Sequence, residues 1–315
     1  MRKTTLSLTV LLTISSVVCT KEQDYDVCMD EVAAQTAVQK EDLANLTCED
    51  LLSKLSLPIP KDYVTLKEKN AVVFAPCFLT EYGDFRLQQN QFCYENIKDF
   101  LGIQPITQCL MEALSVEGDL QELEAEYVSQ GAAGCMIIRS RWSGEKKECQ
   151  KPKEEKVNEY SCAPHEPTHI FVAGTVLHRD PPWLNEGLAD YVSVQLRENE
   201  TLECFAGSFR YTFKDNYTGE LKEMKEGSYV PLDMEREEHR QQGTSFDAYL
   251  TGACLWDYID SNYGHETFKA IMQDVNASRF ASMSFVNNIL QYHIGENGIN
   301  DLKNKFGDDS IEVFE

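Results

Sequence analysis

The residues His165-Glu166-Pro167-Thr168-His169 read as H-E-x-x-H. Helical residues four apart share a face, so the two imidazoles would stand one turn apart, the spacing a single Zn²⁺ needs. Glu166 would then point at the open metal position, where a carboxylate can take a proton from water. A third ligand is required, and Trp183-Leu-Asn-Glu186-Gly-Leu-Ala-Asp190-Tyr191 offers the Glu186 carboxylate a short loop downstream. Asp190 falls one turn after Glu186 on the same face, placed to accept the outer N–H of a ligating histidine and fix its tautomer. His178 and Asp180, in a proline-rich loop, are the alternatives to Glu186. The layout is that of a hydrolase that activates water with a metal.

These two segments resemble the thermolysin-like zinc peptidases, the gluzincins, whose pattern is H-E-x-x-H followed by N-E-x-x-x-D or by W-L-N-E-G-x-A-x-Y. Trp183 to Tyr191 looks like the aminopeptidase form and Asp190 like the thermolysin form. The coarse order of elements extends the resemblance over residues 71–290. It implies that His165, His169 and Glu186 bind Zn²⁺, that Glu166 is the general base and that Asp190 orients a ligand. Tyr249-Leu-Thr-Gly252 resembles the Tyr-x-x-Gly segment of the aminopeptidase branch, which implies Tyr249 as the donor to the oxyanion; His239 is the runner-up, at a spacing loosely like the thermolysin branch, although its segment Glu235-Arg-Glu-Glu-His239-Arg240 reads more like a solvated charged face. The Gly-x-Met-Glu-Asn segment with which that branch holds a substrate amino terminus has no match, so the resemblance favours endopeptidase activity on peptide or protein substrates.

Two features depart from the family pattern. Pro167 lies inside the motif, and proline removes a helix donor and crowds the carbonyl four residues back. The motif therefore fits a helix that begins close by, as Cys162-Ala163-Pro164 allows. The spacer between His169 and Glu186 is sixteen residues, slightly shorter than the family's. These departures motivate an alternative: a catalytically inactive secreted binding glycoprotein on a zincin scaffold.

Residues 1–20 read as a signal peptide, with Arg2 and Lys3 before an apolar stretch, Leu6 to Val18, too short to span a bilayer. Ten cysteines follow it, an even number that implies a disulfide framework in an exported chain. Cys162, close to His165, belongs to that framework rather than to the metal. Four sequons, at Asn45, Asn199, Asn216 and Asn276, agree with secretion. A net charge of −23 opposes binding to nucleic acid or to anionic membrane. No second apolar span provides a membrane anchor, so the mature chain is expected to be extracellular.

The expected fold is α+β and zincin-like: a twisted β-sheet amino-terminal half packed on an active-site helix, then an all-helical carboxy-terminal half. Residues 21–70 read as a helical cap or propeptide and 71–315 as the metallopeptidase domain. Strands are expected at Ala71–Pro76 and from Cys135, with the region 132–140 able to bind substrate by strand addition. Residues 105–130 read as helical on Leu110, Leu114, Leu120 and Leu123. The helices of the motifs are placed at 163–173 and 183–197. Residues 199–243 read as a polar surface insertion, and helices run from Phe246 to the end with breaks at Gly264 and Gly295.

Overall fold

The computed structural model describes residues 47–54, 59, 61–105, 108–116, 136–142, 164–173, 175, 177, 182–214, 220–232, 236–277 and 284–306. The segment 1–20 expected to be a leader, the sequons at Asn45 and Asn216, and His178 and Asp180 lie outside them. The chain is mixed α+β and divides into two compact units, residues 1–94 with 105–160 and residues 95–104 with 161–315.

The first unit is built on a four-stranded sheet in the order β1 (Tyr63–Lys67), β2 (Ala71–Pro76), β3 (Leu110–Val116) and β4 (Met136–Trp142). β1 and β2 form an antiparallel hairpin; β2, β3 and β4 run parallel. The domain boundary expected at residue 70 falls inside that hairpin, and Tyr63–Lys67, within the segment read as helical, is a strand of the sheet. Helix α1 (Cys48–Lys54) is tied to the start of β3 by the Cys48–Cys109 disulfide. All six residues of β2 are buried, as suits a strand covered on both faces. Ala71, Val73, Ala75, Leu87 and Leu114 form one core, with Val64, Leu66 and Tyr82 against it.

The helix read over 105–130 is corrected at Leu110–Val116, which is strand β3. Leu110, Met111, Ala113 and Leu114 are all buried. A strand buried on both faces needs an almost continuous apolar run, and its four-residue spacings imitate a helix period.

One charge interrupts that run. Glu112 is fully buried and meets Arg86 of helix α2 (Thr80–Leu101) at 3.1 Å, while Asn90 Nδ2 donates to the same carboxylate at 2.7 Å. Removing one member of a buried ion pair leaves the other uncompensated. Glu112→Gln is therefore expected to lower the unfolding free energy by about 3 kcal/mol, read from the shift of the denaturant midpoint at unchanged slope. A midpoint within experimental error of the parent would mean that water reaches Arg86.

The second unit contains α3 (His165–Val172), α4 (Pro182–Leu196), α5 (Arg236–Gln242), α6 (Ser245–Tyr263), α7 (His265–Ala277) and α8 (Ser284–Phe306). The breaks at Gly264 and Gly295 fall as expected: their φ values are 87° and 71°, the left-handed region that glycine enters without strain. The all-helical expectation for this half is corrected by a three-stranded antiparallel sheet, β5 (Glu200–Cys204), β6 (Ser208–Lys214) and β7 (Leu221–Ser228). Phe209, Tyr211 and Phe213 alternate along β6, the period of two that a half-buried strand requires. Phe209 is buried, Tyr211 packs on Phe246 of α6 with ring centroids 6.0 Å apart, and Cys204 is bonded to Cys254 of the same helix. Charged residues on the opposite face dilute this alternation in the sequence.

Both paired disulfides, together with bonded Cys77 and Cys93, suit a chain folded in an oxidising compartment. Among the described residues no helix is long and apolar enough to cross a membrane.

Candidate metal centre

Helix α3 starts at His165, with Pro164 as its N-cap residue. Its first backbone bond runs from Thr168 N–H to the Pro164 carbonyl at 2.8 Å. Pro167 precedes that bond, in the first turn, where N–H groups have no helical partner anyway. It costs the helix nothing, and the two histidines keep their i, i+4 relation.

The approach of α4 is set by glycine. A Cβ on Gly187 would lie 2.4 Å from the carbonyl carbon of Gly252 in α6, and one on Gly252 would lie 2.4 Å from the Trp183 carbonyl oxygen. The two helices touch backbone to backbone there. The Trp256 indole N–H of α6 donates to the Leu184 carbonyl at 2.9 Å, one turn away. Further along α4, the Tyr191 hydroxyl donates to Asp260, which also meets His265 Nδ1 at 3.0 Å. Glu186 and Asp190 thus project from a helix fixed along its length.

Their carboxylates meet the α3 histidines. Glu186 Oε2 lies 3.3 Å from His165 Nε2 and 3.5 Å from His169 Nε2. One ligand atom from each of the three residues lies within 4.8 Å of the other two. Both rings turn the opposite nitrogen outward: His165 Nδ1 is 2.6 Å from Asp190 Oδ1, and His169 Nδ1 is 3.0 Å from Asn185 Oδ1. An acceptor at each Nδ1 holds the proton there and leaves the Nε2 lone pair facing Glu186. Metal–ligand bonds of about 2.0–2.1 Å in a tetrahedron put ligand atoms about 3.3 Å apart, close to both His–Glu separations. The donor set of two imidazoles and one carboxylate therefore fits a zinc ion. Asn185 went unread in the sequence, although it stands directly before Glu186; its role needs the outer nitrogen of His169 to be located.

Without a metal, the three groups share protons. Burial opposes charge on His165, but the Asp190 and Glu186 carboxylates outweigh it and raise its pKa to about 10. Burial likewise favours neutral Glu186, but the two histidines outweigh it and hold its carboxyl at about 2. A raised histidine pKa stabilises the fold fully below its unfolded value of 6.5, and the gain is lost as pH rises towards 10. A lowered carboxyl pKa stabilises above 4.5, and the gain is lost as pH falls towards 2. The chelated protein is expected to melt highest between those limits, and its melting temperature should fall on both sides. A melting curve flat from pH 6.5 to 10 would mean that His165 is not held protonated by these carboxylates.

The other sequence candidates take separate places. Glu166 is exposed on α3, about 100° round the helix from His165. Tyr249 lies on α6 one turn before Gly252 and packs against Trp183 with ring centroids 5.5 Å apart; it is not one of the three clustered groups. His239, read in sequence as part of a solvated charged face, is fully buried. Its Nδ1 meets Thr244 Oγ1 at 2.7 Å, its Nε2 meets the Pro231 carbonyl at 3.0 Å, and its ring stands edge-on to Trp183. Both nitrogens are engaged in holding the loop before α6, so His239 is a structural residue.

No protein-family model matches the chain, and no curated protein or solved structure matches it.

Proposed function

We propose that the chain is a secreted zinc-dependent peptidase, of endopeptidase type, on a zincin-like fold. One observation carries the reading: two histidines on one helical face turn Nε2 towards a single carboxylate while Asp190 and Asn185 secure both outer nitrogens. A ligating histidine is oriented through its outer nitrogen in this way. His165, His169 and Glu186 would hold the ion. When bound, zinc lowers the pKa of a coordinated water and polarises the scissile carbonyl. Glu166, exposed and next in sequence to His165, would accept the proton that water gives up and return it to the leaving amine. Tyr249 donates a hydrogen bond to the oxyanion. Asp190 and Asn185 keep the imidazoles in the tautomer that leaves Nε2 free.

The order of elements supports the zincin-like fold in part: a strand-rich first unit, then the paired-histidine helix and the Glu186 helix, with the β5–β7 sheet and α5 before α6 to α8. Neither sequence departure argues for a degenerate site. Pro167 takes no hydrogen bond from α3, and the sixteen-residue spacer is long enough to bring Glu186 within 3.3 Å of His165.

The test is incubation of the purified, oxidised chain with a diverse peptide mixture, with and without chelator, followed by zinc. Cleavage that a chelator stops and zinc restores is expected, with internal cut sites. A folded, zinc-loaded protein that cleaves nothing would refute the peptidase reading and favour the binding scaffold.

A further inference from the structure

The outward face of the β5–β6–β7 sheet has a charged rung and two apolar side chains in water. Arg210 of β6 stands between Glu203 and Glu226, at 3.2 and 2.6 Å. Two residues along, Thr201, Thr212 and Met224 form the next rung on the same side, and Met224 is 58% exposed. Beyond it the register shifts at a bulge, which breaks the alternation, and Lys214 pairs with Leu221, which is 54% exposed. The opposite face is packed on α6, so Leu221 and Met224 have no place in that core.

The sequon Asn199-Glu200-Thr201 begins at this end of the sheet. Lys214 N–H donates to the Asn199 carbonyl at 2.8 Å, and Asn199 Nδ2 donates to the Lys214 carbonyl at 2.7 Å. Asn199 thus extends the ladder by one rung, level with Lys214 and Leu221. Neighbouring strands are about 4.8 Å apart, so Asn199 lies about 10 Å from Leu221, and Thr201 the same from Met224. A side-chain amide carries two hydrogens. Lys214 uses one, and a substituent can replace the other while that bond stays.

We propose that Asn199 is N-glycosylated and that its first sugars lie across the strand ends and cover Leu221 and Met224. In the transfer a bond forms between Asn199 Nδ2 and C1 of N-acetylglucosamine. The bond from C1 to the oxygen of a lipid-linked diphosphate donor breaks, the diphosphate leaves with the electron pair, and Nδ2 gives up one proton. The C–H faces of the sugar rings and the acetyl methyl match the apolar side chains beneath, while the hydroxyls stay in water. The proposal requires export through the leader at residues 1–20 and is independent of the metal centre. Asn216, between β6 and β7 in sequence, is the rival source of cover.

The test uses the full chain made in a glycosylating secretory host. Enzymatic release of N-glycans converts an occupied asparagine to aspartate, so peptide mass spectrometry reads Asn199 directly. Cover is read from the rate at which peroxide oxidises Met224 to the sulfoxide. Asn199 is expected to be occupied, and Met224 to oxidise about threefold faster after glycan release and in Thr201→Ala, with no change in Asn216→Gln. An unoccupied Asn199, a Met224 rate unchanged by release, or protection lost only in Asn216→Gln overturns the proposal. Protection that survives release and depends on protein concentration also overturns it, and assigns the face to a second copy of the chain. Glycan release needs no substitution, so this arm stands if a variant fails to fold.

Discussion

Glu166→Gln is expected to lower kcat/KM on a cleaved peptide by about a thousandfold and to leave the zinc content of the protein unchanged. The substitution keeps side-chain volume and removes only the ability to hold a proton from water. Glu166 is exposed in the first turn of α3, outside the three-residue cluster, so no ligand depends on it. A positioned general base contributes about 10²–10⁴ in rate, and the expected loss lies in the middle of that range. Metal stoichiometry must be measured on the same preparation as the kinetics. Full activity in the variant would remove Glu166 from the mechanism. Loss of metal together with activity would instead make Glu166 part of the ion's own shell.

The second large effect concerns a residue with no chemistry. Gly187→Ala is expected to cost about 4 kcal/mol of stability and to weaken metal binding, although alanine is the better helix former by about 1 kcal/mol. The new Cβ would sit 2.4 Å from the Gly252 carbonyl carbon and 2.7 Å from the Ala253 nitrogen. Both neighbours are backbone, so no side chain can turn away and the helices themselves must part. Parting them strains the Trp256–Leu184 hydrogen bond and shifts Glu186, the residue next to the substitution, against His165 and His169. Urea unfolding of the zinc-free variant, followed by zinc titration of the folded fraction, separates the two effects. A variant stabilised by the propensity gain alone would show that α4 and α6 are looser than their backbone contact implies.

The clustering of His165, His169 and Glu186 was legible because its logic is local. His165 and His169 are one turn apart, Glu186 and Asp190 are one turn apart, and helical period alone fixes which side chains share a face. Glycine at 187 and 252 was visible as part of the motifs, but its reason, backbone contact between two helices distant in sequence, was not. His239 misled because its neighbours are charged; its burial depends on Trp183 and on the Pro231 carbonyl, neither of which its own segment reveals. In β3 the pair Leu110 and Leu114 satisfied a helix and a doubly buried strand equally well, and only pairing with β2 and β4 decides between them. The β5–β7 sheet was hidden for the opposite reason: aromatic alternation in β6 is surrounded by Glu203, Arg210, Lys222, Glu223 and Glu226, whose polarity reads as an insertion.

The three clustered side chains come from α3 and the first half of α4, joined by a single short stretch of chain. Closing a loop of that size has a small entropic cost, and such closures occur in well under a millisecond. The helix that presses on α4 through Gly252 is made much later in synthesis. On the proposed function, an ion held by these three residues would need only α3 and α4, so its capture is expected to be separable from the packing of α6. In refolding from denaturant, zinc present at the outset is expected to speed recovery of the folded state more than zinc added after a delay; equal rates would place helix packing first.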